Sequence, residues 1–217
     1  MANQTSETFV TEIPLRINPS EERHLLVRLE AARQVYNAAL GESLKRLRLM
    51  QQSKLYQQAR QMSDAKARQV AYRAARKAVG FRAYDLHTYA KQFGHSWLGD
   101  HVDSHVVQSL ASRAFSAVNQ YAYGRRGRPR FKGKNQLKSV EGKSNVTGIR
   151  WRDGQIIWKH LTFEALIDPD DPVIQHGLDS PVKYVRLVRR QLNGKNRFYA
   201  QLVQAGRPYQ KPANTVG

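Results

Sequence analysis

Side chains able to act on a ligand are densest between Tyr123 and Lys143. Arg125, Arg126, Arg128, Arg130, Lys132, Lys134, Lys138 and Lys143 fall in this stretch, opposed by Glu141 alone. The chemistry open to such a run is the gripping of phosphate. A guanidinium presents a planar fork of donors that matches two phosphate oxygens, and an ammonium supplies a compact point charge. Gly124, Gly127 and Gly133 would let a backbone come close to a phosphate, and Pro129 limits the wandering of the loop. Phe131 reads first as an apolar anchor tucked into the core, with stacking on a base as the alternative. A second cationic set, Lys66, Arg68, Arg73, Arg76 and Lys77, falls on one helical tract further upstream. The bland reading of both sets is a solvated basic surface.

Other chemistries find little support in the residues. There is no cysteine, which excludes disulfides, thiolate zinc sites and a cysteine nucleophile. His101 and His105 are four apart beside Asp100 and Asp103, a spacing that suits two metal ligands, but no third ligand converges in the sequence. Capping of a helix start is the simpler role for that cluster. Gly142-Lys143-Ser144 ends like a phosphate-binding loop but lacks the upstream glycine, since Gln136 to Val140 contains none. No catalytic residue, metal ligand or cofactor is therefore assigned. Tyr36-Asn37 could be a core tyrosine with a polar neighbour or a pair that reads a base, and both residues are kept among the candidate contacts. Trp151, Trp158, Tyr184, Phe198 and Tyr199 read as core aromatics before an aromatic face for bases.

The whole-chain balance points the same way. Thirty-six Lys and Arg stand against 17 Asp and Glu, giving a formal charge of +19 and a pI near 10.5, so a polyanionic partner is expected. Charge alone does not separate DNA from RNA. With 41% hydrophobic residues in 217 the chain can bury a core, as one large domain or two small ones. No stretch reaches the roughly 18 to 20 apolar residues of a membrane helix, and the polar start Met1 to Glu7 lacks the apolar run of a leader. A soluble, cytoplasmic protein is expected, a monomer for preference, with no small-molecule substrate.

Elements must position these groups. Phe9, Thr11, Ile13, Leu15 and Ile17 alternate with their neighbours as in a strand with one buried face, and Pro14 marks it as an edge strand. Asn18-Pro19-Ser20-Glu21 is a helix start with a capping box. From it Leu25, Leu29, Ala32, Tyr36, Leu40, Leu44 and Leu47 form one stripe, ending before Ser53. A second helix is predicted from a cap at Ser63 through Val70, Ala74 and Ala78 to Gly80, and a short third around Leu86 to Phe93. A fourth starts near Ser104 with Val107, Leu110, Ala114, Val118 and Tyr121 inward. Beyond Tyr123 the pattern turns to strands, with hairpins at Asp153-Gly154 and Asn193-Gly194 and a further strand at Leu161 to Ile167 that ends in the acidic loop 168–172.

This predicts an α+β fold: a small antiparallel β-barrel of OB-like type with a helical bundle inserted after its first strand. The expected divisions are 1–18 as the first barrel strand, 19–123 as the inserted helices and 124–145 as the basic glycine-rich loop. Residues 146–205 supply the remaining barrel strands and 206–217 a linker.

Three motifs in this order resemble TnpB, the RNA-guided nuclease of bacterial insertion sequences, and its relatives the compact type V CRISPR effectors. They are Arg33-Gln-Val-Tyr36-Asn37-Ala-Ala-Leu40 on the first helix, Val107-Gln108-Ser-Leu110 leading to Arg113-Ala114-Phe115 on the fourth, and Gly127-Arg-Pro129-Arg130-Phe131-Lys132 just after it. The resemblance covers nearly the whole chain but only the front half of the family protein. It implies that the barrel is a wedge domain and the helices a recognition domain, which together clasp guide RNA, guide–target heteroduplex and a short target-adjacent duplex. It also implies that Asn214-Thr215-Val216-Gly217 begins the first strand of a RuvC-like nuclease, with Mg²⁺ and its carboxylates belonging to that further domain. On this reading the partners are a guide-type noncoding RNA and target DNA, the protein is nucleoid-associated, and this chain alone is no enzyme. The competing expectations are a dimeric DNA-binding regulator with a basic helix in the major groove and a structural RNA-binding protein.

Overall fold

A computed structural model describes residues 7–211; the polar start before Glu7 and the tail Asn214 to Gly217 lie outside the described residues. The chain runs from β1 (Thr8–Arg16) into six helices: α1 (Pro19–Gln52), α2 (Lys54–Gln61), α3 (Ala65–Ala78), α4 (Ala83–Gly94), α5 (Leu98–His101) and α6 (Ser104–Ala122). It continues as β2 (Ser139–Glu141), β3 (Ile149–Arg152), β4 (Gln155–Trp158), β5 (Leu161–Ala165), α7 (Pro172–Leu178), β6 (Val182–Leu192) and β7 (Lys195–Ala205). Two compact units result, one from residues up to Leu25 together with those from Lys138 onward, the other from Leu26–Leu137.

The first unit is a nearly closed seven-strand antiparallel barrel in the order β2-β6-β7-β1-β5-β4-β3. The α+β fold expected from the sequence is the one observed, with all six helices entering between the first strand and the second. Alternation does what it should: Ile13 and Leu15 are buried in β1, and Val185 and Leu187 in β6. Trp158, Phe163, Ile149 and Ile156 are fully buried from β3, β4 and β5, and Phe198, Ala200 and Leu202 complete the core from β7. Trp151 is buried as well, so the tryptophans beside the Asp-Gly turn belong to the core as anticipated. Both predicted hairpins form, with positive φ at Asp153 (46°) and Gly154 (77°) and at Asn193 (49°) and Gly194 (75°).

Pro14 does not mark an edge. β1 lies between β7 and β5, and Pro14 sits where one pairing ends and the other begins: it is the last partner of β7, opposite Tyr199, and Leu15 is the first partner of β5, opposite Ala165. Its missing N–H falls at the switch point, and its carbonyl still accepts from Leu166 N at 2.8 Å. Two elements of this unit were not anticipated. β2 falls inside the stretch read as basic loop, and α7 follows the acidic loop, whose Asp171 caps it by accepting from Val173 N and Ile174 N ahead of Pro172.

The helical unit begins from local signals. The Asn18 carboxamide oxygen accepts from Ser20 N and Glu21 N at 2.9 and 3.0 Å, and Asn18 N donates back to the Glu21 carboxylate at 2.9 Å, completing the capping box at the start of α1. The stripe along α1 is buried at Leu25, Leu29, Ala32, Tyr36, Leu40 and Leu47, while Leu44 stays half-buried. After Gln52 the sequence reading needs correction. Ser53 caps an unforeseen helix, α2, through Tyr56 N, and Asp64 rather than Ser63 caps α3 through Ala67 N at 2.7 Å. Val70, assigned to the buried stripe of α3, is 63% exposed; Ala75 is the buried residue, and the Tyr72 ring packs 5.2 Å from Tyr56 of α2. α6 follows its forecast, with Val107, Leu110, Ala114 and Val118 buried, except that Tyr121 is exposed. Among the described residues no helix is long and apolar enough to cross a membrane.

Candidate nucleic-acid interface

The loop from Tyr123 to Leu137 has no regular structure, and midway along it the backbone of Lys132 is fastened to α1. Asn37 presents both ends of its carboxamide to Lys132: its oxygen accepts from Lys132 N at 2.8 Å, and its nitrogen donates to the Lys132 carbonyl at 2.9 Å. Arg33, one turn earlier on α1, donates to the same carbonyl at 2.9 Å. Arg33 is aimed by Glu30, whose carboxylate accepts from its Nε at 2.9 Å. That hydrogen bond holds the Glu30 carboxyl below its ordinary range, with the charge of Lys134 acting in the same direction, and raises the Arg33 guanidinium. A turn of α1 thus grips the backbone of the loop and leaves its cationic side chains outside.

This changes the role of two candidate residues. Tyr36 is buried at 7% exposure, so its ring does not face a base, and Asn37 spends its polar atoms on Lys132. Asn37 acts beneath the loop. Replacing Asn37 with alanine removes two hydrogen bonds from a partly buried peptide, a loss of about 1–3 kcal/mol of local stability. Trypsin is expected to cut between Arg125 and Arg130 about tenfold faster in N37A than in the parent, since 1.4 kcal/mol is a factor of ten. Unchanged cleavage would mean the loop is held by something else.

Along the loop Arg125, Arg126, Arg128, Arg130 and Lys134 are exposed and Lys132 is half-buried. The Arg125 guanidinium lies 5.9 Å from the Tyr123 ring, and Arg126 reaches Gln120 at 3.5 Å. Of the loop glycines, Gly124 adopts a positive φ of 68°, and a Cβ at Gly124 or Gly127 would meet open space, so among the described residues nothing requires glycine's small size there. Phe131 is not tucked into the core. It is 56% exposed, its ring edge resting against Gly41 of α1. Lys138 and Lys143 belong to the barrel unit, where the Lys138 carbonyl accepts from Arg189 N at 2.7 Å and Lys143 is exposed.

The α3 cations divide. Lys66, Arg73 and Lys77 are exposed, and half-buried Arg68 reaches the Met62 carbonyl at 3.3 Å. Arg76 is committed within the fold: it donates to Asn119 at 2.7 Å and to the Tyr123 hydroxyl at 2.9 Å, and lies 5.0 Å from the Phe81 ring. Arg68, Arg73, Arg76 and Tyr123 border one hollow between α3 and the end of α6. A second hollow holds Arg128 and Phe131 of the loop with Lys45, Arg48 and Tyr121. Lys45 and Arg48 were not singled out in the sequence, although their i, i+3 spacing beside the apolar stripe of α1 was the signal that could have found them.

In the Asp and His cluster before α6 the capping residue is Asp103. Asp103 caps α6 through His105 N and Val106 N, and His105 Nδ1 stands 3.8 Å from the same carboxylate. Among the described residues no three His, Asp or Glu side chains gather where they could hold a metal ion. No family model matches the chain, and no curated protein matches it.

Proposed function

We propose that this chain is a nucleic-acid-binding module that grips a phosphate backbone with the loop Arg125 to Lys134. The observation carrying this reading is the fastening of the Lys132 peptide by Asn37 and Arg33. A cationic loop tied at one peptide has lost part of its conformational freedom before the ligand arrives, so less entropy opposes binding. The net charge of +19 supplies the long-range attraction.

The finer reading rests on the resemblance to TnpB. The barrel and helices would be the wedge and recognition lobes, binding a guide-type noncoding RNA and its heteroduplex with target DNA. Base pairing would read the sequence while the protein recognises backbone shape. Cutting, with its Mg²⁺, would belong to the RuvC-like nuclease domain of that family, and the protein would work in the bacterial cytoplasm on the nucleoid. The test is a titration of the purified chain with structured RNA, RNA–DNA heteroduplex and random duplex DNA at several salt concentrations. Tighter binding to RNA and heteroduplex is expected. Equal or tighter binding to random duplex DNA would replace this reading with that of a DNA-binding regulator, and Mg²⁺-dependent cleavage by the chain alone would refute the non-catalytic role.

A further inference from the structure

We infer that the hollow between α1, the end of α6 and the basic loop is a seat for one unpaired nucleotide, with Phe131 as the stacking platform for its base. The inference rests on the nucleic-acid reading and deepens it, because gripping a backbone needs cations and has no use for an exposed phenylalanine. Phe131 is 56% exposed and Tyr121, in the same hollow, 37%. Leaving such rings in water forfeits the favourable burial that the rest of the chain exploits. Phe131 also follows directly on the positioning described above: its neighbour Lys132 is the fastened peptide, so the ring stands on a fixed stem. Its edge rests on Gly41, where Cε1 and Cζ lie 3.6 and 3.7 Å from the place a Cβ would take. Any side chain longer than a methyl at that position would extend into the space the ring borders.

The rim is cationic. Arg128, Arg48 and Lys45 line the same hollow as the rings; Lys45 stands 4.0 Å from Glu42, and among the described residues Arg48 and Arg128 form no ion pair. The hollow is about 370 Å³ and open to solvent, ample for a base with its phosphate at the rim. Two exposed rings and three cations lining one hollow match a ligand that combines a flat π face with an adjacent negative charge, which is an unpaired nucleotide. Paired bases in a duplex hide those faces, so the site selects for a strand segment, loop or flipped end. An acidic peptide would use the rim and leave the rings unoccupied.

The experiment uses the full chain and four probes: oligouridylate, oligothymidylate, and the duplexes each forms with its complementary adenine strand. Kd is measured across salt concentrations for the parent and for F131L, F131W and R128Q. Because Phe131 is exposed, F131L keeps an apolar side chain without disturbing the core. It is expected to weaken single-strand binding about tenfold with an unchanged salt slope, since stacking is lost and no phosphate contact is. F131W should restore affinity, and R128Q should lower the slope by about one. A loss on oligouridylate assigns an RNA base and a loss on oligothymidylate a DNA base; either supports the seat. Single-strand affinity within twofold of the parent in F131L, or an equal loss on the duplexes, overturns it while leaving the backbone-gripping function intact. Failure of the parent chain to bind any of the four overturns both.

Discussion

A chain carrying R128A, R130A and K132A together is expected to bind nucleic acid about 10² to 10³ times more weakly than the parent near 0.1 M salt, with a salt slope shallower by up to about three. Each phosphate neutralised by Lys or Arg releases close to one condensed counterion, so the logarithm of affinity falls by nearly one per contact for each tenfold rise in salt. At about a tenth molar, three such contacts account for the expected loss. The substitutions are chosen so that the answer concerns charge and not folding. Arg128 and Arg130 are exposed. Lys132 is held through its backbone N–H and carbonyl, which alanine retains, so Asn37 and Arg33 can still fasten the loop. Anisotropy titrations across a salt series measure both affinity and slope. Lower affinity with an unchanged slope would mean that the loop acts by packing and not by phosphate contact, and the proposed function would lose its central support.

What could be read in the sequence was what is decided locally. The capping box at Asn18 and Glu21 closes over three residues, and the two hairpin turns need only an Asp-Gly or Asn-Gly pair able to take positive φ. The barrel with its helical insertion followed because a change of hydrophobic period at Asn18 and again after Tyr123 is visible without knowing any contact. The features missed depend on distant partners. β2 is three residues long, and its one buried side chain, Val140, is a strand residue because it pairs with Leu187 of β6. α2 is eight residues long, buries only Ala59 and leaves Leu55 45% exposed, so its apolar stripe is too short to be recognised alone, and it is defined by its cap and by α3. Val70 misled for the converse reason: an apolar residue at helical spacing counted as core, and it is 63% exposed.

The site shows the same division. The density of Arg and Lys between Arg125 and Lys134 identifies a candidate phosphate grip from composition alone. How that grip is held was not legible. Arg33 and Asn37 are one turn apart and share a face of α1, yet their target, Lys132, lies 95 residues beyond Asn37. The exposure of Phe131 was likewise hidden, because a lone phenylalanine in a polar segment is more often an anchor, and only its 56% exposure in the fold shows that it is not buried.

The largest effect on stability is expected at Gly177, where substitution by alanine should cost about 3–5 kcal/mol, the sum of overpacking and broken buried hydrogen bonds. Gly177 lies in α7 against β1, and a Cβ there would land on the Thr11 side chain, with Cγ2 only 2.7 Å away. Thr11 cannot move aside cheaply. It is 2% exposed, and its hydroxyl donates at 2.6 Å to the side-chain oxygen of Gln204, which is fully buried in β7. The Gln204 amide nitrogen in turn donates to the Gly177 carbonyl, so displacing α7 to admit a methyl would break the second bond of the chain and strand a polar group away from water. Urea unfolding followed by the fluorescence of Trp151 and Trp158, both buried in the barrel, measures the loss. The steric origin can be separated from any effect on the helix itself. Alanine favours a helix interior over glycine by about 0.5–1 kcal/mol, so once Thr11 is cut back to glycine, which removes its Cβ at 2.8 Å as well as Cγ2, the same G177A change should cost much less than it does in the parent. A double mutant T11G/G177A as unstable as the sum of its parts would show that Thr11 is not what excludes a side chain at 177.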